Sequence, residues 1–139
     1  MKENHHKELA RYRLEKANRN LMSARQAFHL GNYDDAVSRS YYCILTTMRA
    51  LLALHHQDSQ RHEGVITLFN KYFIQPKLFP RDINKIIHKM KSLREDADYG
   101  DFIEITGEIA EKEIRKAEVF MKNAEEIFSI FLTDTKNHT

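Results

Sequence analysis

Apolar residues along the chain recur in steps of three and four, broken at intervals by short polar stretches. From about Lys7 to Leu30 the residues Leu14, Ala17, Leu21, Ala24 and Phe28 fall on one stripe of a helix. Gly31-Asn32 punctuates it, with Gly31 suited to a left-handed C-cap. A second helix is expected from about Tyr33 to His56, where Val37, Tyr41, Ile44, Met48, Leu51 and His55 form a stripe that Leu45 and Leu52 widen. A helix apolar over more than one face belongs at the centre of a bundle. After a polar break at Asp58-Ser59, Val65, Leu68, Phe69 and Tyr72 mark a shorter helix over about Arg61 to Tyr72. Pro76 and Pro80 close that region, since neither fits a helix interior. Ile83, Ile86, Met90, Leu93 and Ala97 define a fourth helix, ending near Tyr99-Gly100-Asp101. Ala110, Ile114, Ala117, Met121, Ala124, Phe128 and Phe131 define a fifth, reaching about Leu132. Two starts compete for it. One is a capping box formed by Asp101 and Glu104; the other is Thr106, followed by Gly107, which weakens the first turn. No stretch alternates with period two. The expected fold is all-α, an antiparallel bundle of about five helices in one domain over 1–139, with its core at about 7–132 and polar ends, including the tail from Thr133, that fray.

Composition changes this picture little. Four Gly and two Pro leave few helix breakers, and 42% hydrophobic with 30% charged residues is ordinary for a globular domain. The net charge of +2 does not by itself call for a nucleic acid or a membrane, so any basic patch must arise from local clustering. The single cysteine, Cys43, lies in an apolar run and reads as a buried inert thiol; with no intrachain disulfide the chain suits a reducing, cytoplasmic setting. No window approaches the roughly 18 apolar residues of a membrane span, and the polar, basic N-terminus does not read as a signal peptide.

The chemistry to be placed on this frame is sparse. Phosphate-cradling glycine loops, paired-cysteine zinc motifs and nucleophile elbows are missing. His5-His6 and His55-His56 are adjacent pairs, which point about 100° apart on a helix and do not chelate, so neither a metal nor another cofactor is expected. Arg94 and Asp98 are one helical turn apart with Tyr99 beside them. A guanidinium next to a phenol and a carboxylate suits a phosphate or a nucleotide; the plainer alternative is an intrahelical ion pair and a packed ring. Arg39 and Arg49 interrupt the second helix, and Arg49, set among core-forming residues, needs a partner for its charge unless it snorkels to the surface. Asp98 or a second subunit are candidates. Tyr41 and Tyr42 read as core or as ligand-stacking rings, and His62 as a cap or a site residue at the start of the third helix.

In order and spacing, Arg13-Leu-Glu-Lys-Ala17, Gly31-Asn-Tyr-Asp-Asp-Ala-Val37, Arg39-Ser-Tyr-Tyr42, Arg49-Ala-Leu-Leu52, His62-Glu-Gly-Val-Ile-Thr-Leu-Phe-Asn-Lys-Tyr-Phe73 and Arg94-Glu-Asp-Ala-Asp-Tyr-Gly-Asp-Phe102 together resemble the HEPN domain family, in particular its short stand-alone prokaryotic branch. The resemblance runs over about Lys7 to Phe131. It implies a helical bundle that dimerises, often beside a small nucleotidyltransferase in a toxin–antitoxin pair, and in active members a metal-independent endoribonuclease. Their motif is an Arg followed four to six residues later by a His, two copies meeting across the dimer. The Arg stabilises the phosphorane charge and the His moves a proton. Arg94 matches the Arg, but Asp98 and Tyr99 stand where the His would fall. The resemblance therefore assigns tentative catalytic roles to Arg94 and Tyr99 and tentative binding roles to Arg49, Tyr42, His62 and Asp98. Its implied partners are a second copy of the chain, a nucleotidyltransferase, and RNA or a nucleotide. The alternative it leaves is an endoribonuclease toxin in which Arg94 works with a non-standard partner.

Overall fold

A computed structural model describes the backbone of residues 2–137 and the side chains of residues 5–132. Five α-helices follow in order: α1 (Lys2–His29), α2 (Tyr33–Leu54), α3 (His62–Phe69), α4 (Ile83–Tyr99) and α5 (Gly107–Asn137), with a π turn at Asn70–Ile74 continuing α3. The described residues contain no strand. α1 starts five residues before the expected Lys7. The backbone of the tail from Thr133 continues the helix to Asn137; its side chains lie outside the described residues.

α2 is the axis of the bundle. The predicted stripe Val37, Tyr41, Ile44, Met48 and Leu51 is fully buried, and so are Ala36, Cys43 and Ala50 on its other sides. Each large aliphatic side chain so enclosed contributes about 1.5–3 kcal/mol of hydrophobic stabilisation. α1 and α5 bring small residues to the core at seven-residue intervals, Ala10, Ala17 and Ala24 on one and Ala110, Ala117 and Ala124 on the other, all with no exposed surface. Small contact residues let helix axes approach towards the short end of the 8–10 Å range.

The turns fix direction. Gly31 sits at φ +77°, and the N–H groups of Gly31 and Asn32 donate back to the carbonyls of Phe28 and Ala27, so α1 and α2 form a tight hairpin. α5 runs alongside α2: Tyr33 packs over Gly107 at one end, and His55 meets Phe131 at the other, ring centroids 5.3 Å apart. Thr106, not Asp101, starts α5. Its hydroxyl accepts the Ile109 N–H at 3.2 Å, and residues 101–106 are non-helical, which corrects the capping box at Asp101 and Glu104. The reason is packing. A β-carbon on Gly107 would lie 3.0 Å from the Tyr33 ring, so the backbone closes on that ring and the helix begins there.

The π turn was not anticipated. It rotates Phe73 onto Phe69 (centroids 5.3 Å), and Phe79 and Phe120 complete an aromatic cluster with spacings of 5.0–5.6 Å. Its carbonyl at Phe73 accepts the N–H groups of Leu78 and Phe79, which anchors the chain before α4.

Candidate functional site at Arg94

Arg94 is one of the few charged residues inside the bundle, with 7% of its surface exposed. It projects from the last part of α4 towards the first half of α2. Its guanidinium carbon lies 5.3 Å from the centre of the Tyr41 ring and 5.5 Å from that of Tyr42, a double cation–π contact. Asp98, one turn on, is its only carboxylate contact within salt-bridge range among the described residues, at 3.4 Å, beyond the usual hydrogen-bond length. The Nε of Arg94 is buried without a hydrogen-bond partner. The guanidinium is therefore held in place by rings more than by hydrogen bonds, with donors left over.

The same two rings receive His62 from the first turn of α3. Its Nδ1 is 3.3 Å from the Tyr41 hydroxyl, and its ring centre is 5.7 Å from Tyr41 and 6.0 Å from Tyr42. Burial lowers the His62 pKa, and the positive charges of Arg94, Lys91 and Arg49 lower it further, which keeps the imidazole neutral around pH 7. Burial pushes the Tyr41 phenol well above the ordinary range, so it stays protonated. Lys91, one turn before Arg94, donates to Glu63 at 2.6 Å and so ties α4 to the residue after His62.

Tyr99 is 75% exposed at the end of α4 and shares a shallow cavity of about 500 Å³ with Arg94, Glu95, Asp96 and Gly100. Tyr42, His62, Asp98 and Tyr99 thus surround Arg94. Arg49 does not join them. Its Nε and Nη2 donate to Asp58 at 3.1 and 3.2 Å, and Arg13 from α1 donates to the same carboxylate at 2.8 Å. The partner of Arg49 is Asp58, and Asp98 faces Arg94 instead. Burial opposes the charge on Asp58, but hydrogen bonds from Arg49, the Ser59 N–H and Arg13 outweigh it and hold the carboxyl below its usual range. Arg39 is exposed. The described residues contain no cluster of three or more candidate metal ligands, and none of their helices is long and apolar enough to cross a membrane. Cys43 is buried, and burial pushes its thiol up to about 12.

A family model described as the HEPN domain matches residues 10–130. The chain belongs to the HEPN domain family. Two proteins of Methanocaldococcus jannaschii, each named a putative toxin, are similar to it. One is 32% identical over 108 residues, covering 78% of this chain and 74% of the relative. The other is 37% identical over 108 residues, covering 78% and 80%. A UPF0332 protein of Archaeoglobus fulgidus is 30% identical over 112 residues, covering 81% and 89%. This HEPN chain carries no His in the turn after Arg94; its imidazole at Arg94's tyrosines comes from α3. Sequence reasoning left Tyr41 between core and ligand-stacking and gave a binding role to Tyr42 alone, and it missed the Lys91–Glu63 pair and the Arg13–Asp58–Arg49 cluster. Each depends on which helices meet, a matter on which spacing within one helix is silent.

Proposed function

We propose that this HEPN protein binds the phosphate of an RNA or a nucleotide at Arg94, acting as a homodimer in a toxin–antitoxin-like pair whose other member is a nucleotidyltransferase. The observation that carries the binding reading is the buried guanidinium clamped by Tyr41 and Tyr42 with its Nε unpartnered and only a long contact to Asp98. A phosphate oxygen offers a shorter, charge-assisted partner for those donors. Tyr99 and Tyr42 supply rings beside it for a base. The toxin-like context is supported by the names of the two archaeal relatives. The test is equilibrium binding of fluorescent RNA and of ATP to wild type and Arg94→Ala, with sedimentation and co-expression beside a small nucleotidyltransferase. Loss of binding in the variant and a dimer that co-purifies with the transferase are expected. Equal binding by the variant removes the Arg94 reading, and a monomer at micromolar concentration removes the dimer.

A second reading is a metal-independent endoribonuclease. It is favoured by one observation: neutral His62 reaches the same rings as Arg94. His62 would take the proton of the ribose 2′-hydroxyl as its oxygen attacks phosphorus, Arg94 would stabilise the charge on the phosphorane, and the P–O5′ bond would break with the 5′-oxygen taking a proton from water, leaving a 5′-hydroxyl and a 2′,3′-cyclic phosphate. On this reading expression arrests growth, and Arg94→Ala and His62→Phe each relieve the arrest. Intact tRNA and mRNA after long incubation with purified protein count against it.

A further inference from the structure

We infer that single-stranded RNA lies in a basic, amide-lined groove between the α3–π-turn segment and α4, and runs along α4 towards Arg94; the direction of the strand rests on the reading of Arg94 as a phosphate site. Two adjoining cavities, of about 990 and 390 Å³, form the groove. They share Asn70, Gln75 and Asn84, so three carboxamides line the floor where the two meet. Carboxamides present a donor and an acceptor side by side, the pattern that pairs with unstacked base edges. The side-chain oxygen of Asn84 is itself buried and has no hydrogen-bond partner within the protein.

The walls are cationic. Lys77 and Arg81 flank the larger cavity, and Lys71 and His88 the smaller. Among the described residues Lys71, Lys77 and Arg81 enter no ion pair, whereas Arg13, Arg25, Arg49, Lys91 and Arg94 all do. Residues 61–91 hold seven Lys and Arg against two Asp and Glu, an excess of five positive charges in a chain whose net charge is only +2. A second excess, seven Lys and Arg against three Glu, lies in residues 1–29, so this segment is one of two basic stretches of a near-neutral chain, and the one that lines cavities.

The groove also leads somewhere. Asn84, His88 and Lys91 follow one another along α4 at steps of four and three, a run of about 10 Å at 1.5 Å per residue, with Arg81 in the turn just before the helix. Glu63 lines the smaller cavity and holds Lys91, and the next residue of that run towards the helix end is Arg94. A duplex presents its base edges inside its own grooves, out of reach of carboxamides on a concave floor, so the fit is to a single strand.

The experiment is fluorescence anisotropy of a labelled 12-nucleotide unstructured RNA with wild type, Lys71→Glu/Arg81→Glu, Asn84→Leu and Arg94→Ala, each checked for native circular dichroism and thermal midpoint. Lys71 and Arg81 are exposed, so their double variant is expected to fold. It is expected to bind at least tenfold more weakly, with a salt slope shallower by about 1.4, the value for two lost single-strand phosphate contacts. Asn84→Leu is expected to weaken binding with an unchanged salt slope. If the double variant binds like wild type while Arg94→Ala does not bind, the groove is wrong and the Arg94 reading survives. If the reverse holds, the groove stands and the Arg94 reading falls. Failure of wild type to bind at low salt, equal affinity for duplex RNA, or equal competition by polyglutamate each overturns the groove.

Discussion

At the scale of the residue, the decisive arrangement is a cation and an imidazole sharing two phenol rings. The two influence each other through charge: burial is the first cause of His62's lowered pKa, and Arg94 is the next. Arg94→Met keeps the length of the side chain and removes the charge. The His62 titration, followed by NMR of the ring protons, is expected to move up towards the ordinary imidazole value. An unmoved titration would mean that enclosure and the remaining cations, Lys91 and Arg49, set it and that Arg94 is remote in solution. Arg94 itself was legible in the sequence, because a helix reads out its own i and i+4 neighbours. His62 was legible as a cap or a site residue but not as a neighbour of Tyr41, since that contact joins residues 21 apart in the chain. Asp58 read as a break for the same reason: its value lies in joining Arg13 and Arg49, residues 45 and 9 positions away.

At the scale of the element, periodicity located all five helices because each has one buried stripe, and even the central α2 keeps Val37, Tyr41, Ile44, Met48 and Leu51 in step. Boundaries were harder where packing chose between rival signals. At α5 a formally good Asp101–Glu104 box lost to Thr106, because Tyr33 closes on Gly107. Two substitutions separate the rivals. Thr106→Ala is expected to cost about 1 kcal/mol, the usual value of a lost N-cap, in urea unfolding. Asp101→Ala is expected to change stability by less than about 0.5 kcal/mol, as at other exposed sites. Equal effects would restore the earlier start. At the α1–α2 hairpin, Gly31→Ala places a β-carbon at φ +77° and is expected to lower stability by about 1 kcal/mol, although no atom lies within 4 Å of that carbon. A larger loss would point to crowding that the hairpin does not show. The π turn left no trace in the pattern, because Phe69 and Phe73, four apart, suit an ordinary α-helix equally well.

At the scale of the whole molecule, two half-buried imidazoles couple folding to acidity. His55 is enclosed by Tyr72, Phe73 and Phe131, its Nε2 buried without a partner, and burial with the neighbouring His56 lowers its pKa. His62 is lowered as well. Both rings are harder to protonate in the folded than in the unfolded chain, so the unfolded state takes up more protons once the pH drops below about 6.5. Their contribution to stability is whole above that value and drains away as pH falls towards the folded pKa values. Urea midpoints measured from pH 7.5 to 5 are expected to decline, and His55→Phe is expected to flatten the decline. A midpoint that stays level in wild type over this range would show that neither ring resists protonation.

The sole thiol of the molecule sits on its central helix. Because Cys43 is sealed from solvent and its proton is held to about 12, a thiol reagent can react only after α2 has been uncovered. The alkylation rate under native conditions therefore equals the rate for a free thiol multiplied by the fraction of time the bundle stands open. The unaltered protein carries its own gauge of breathing at its axis, and slower alkylation with RNA present would measure, without any label, how firmly that ligand holds the helices together.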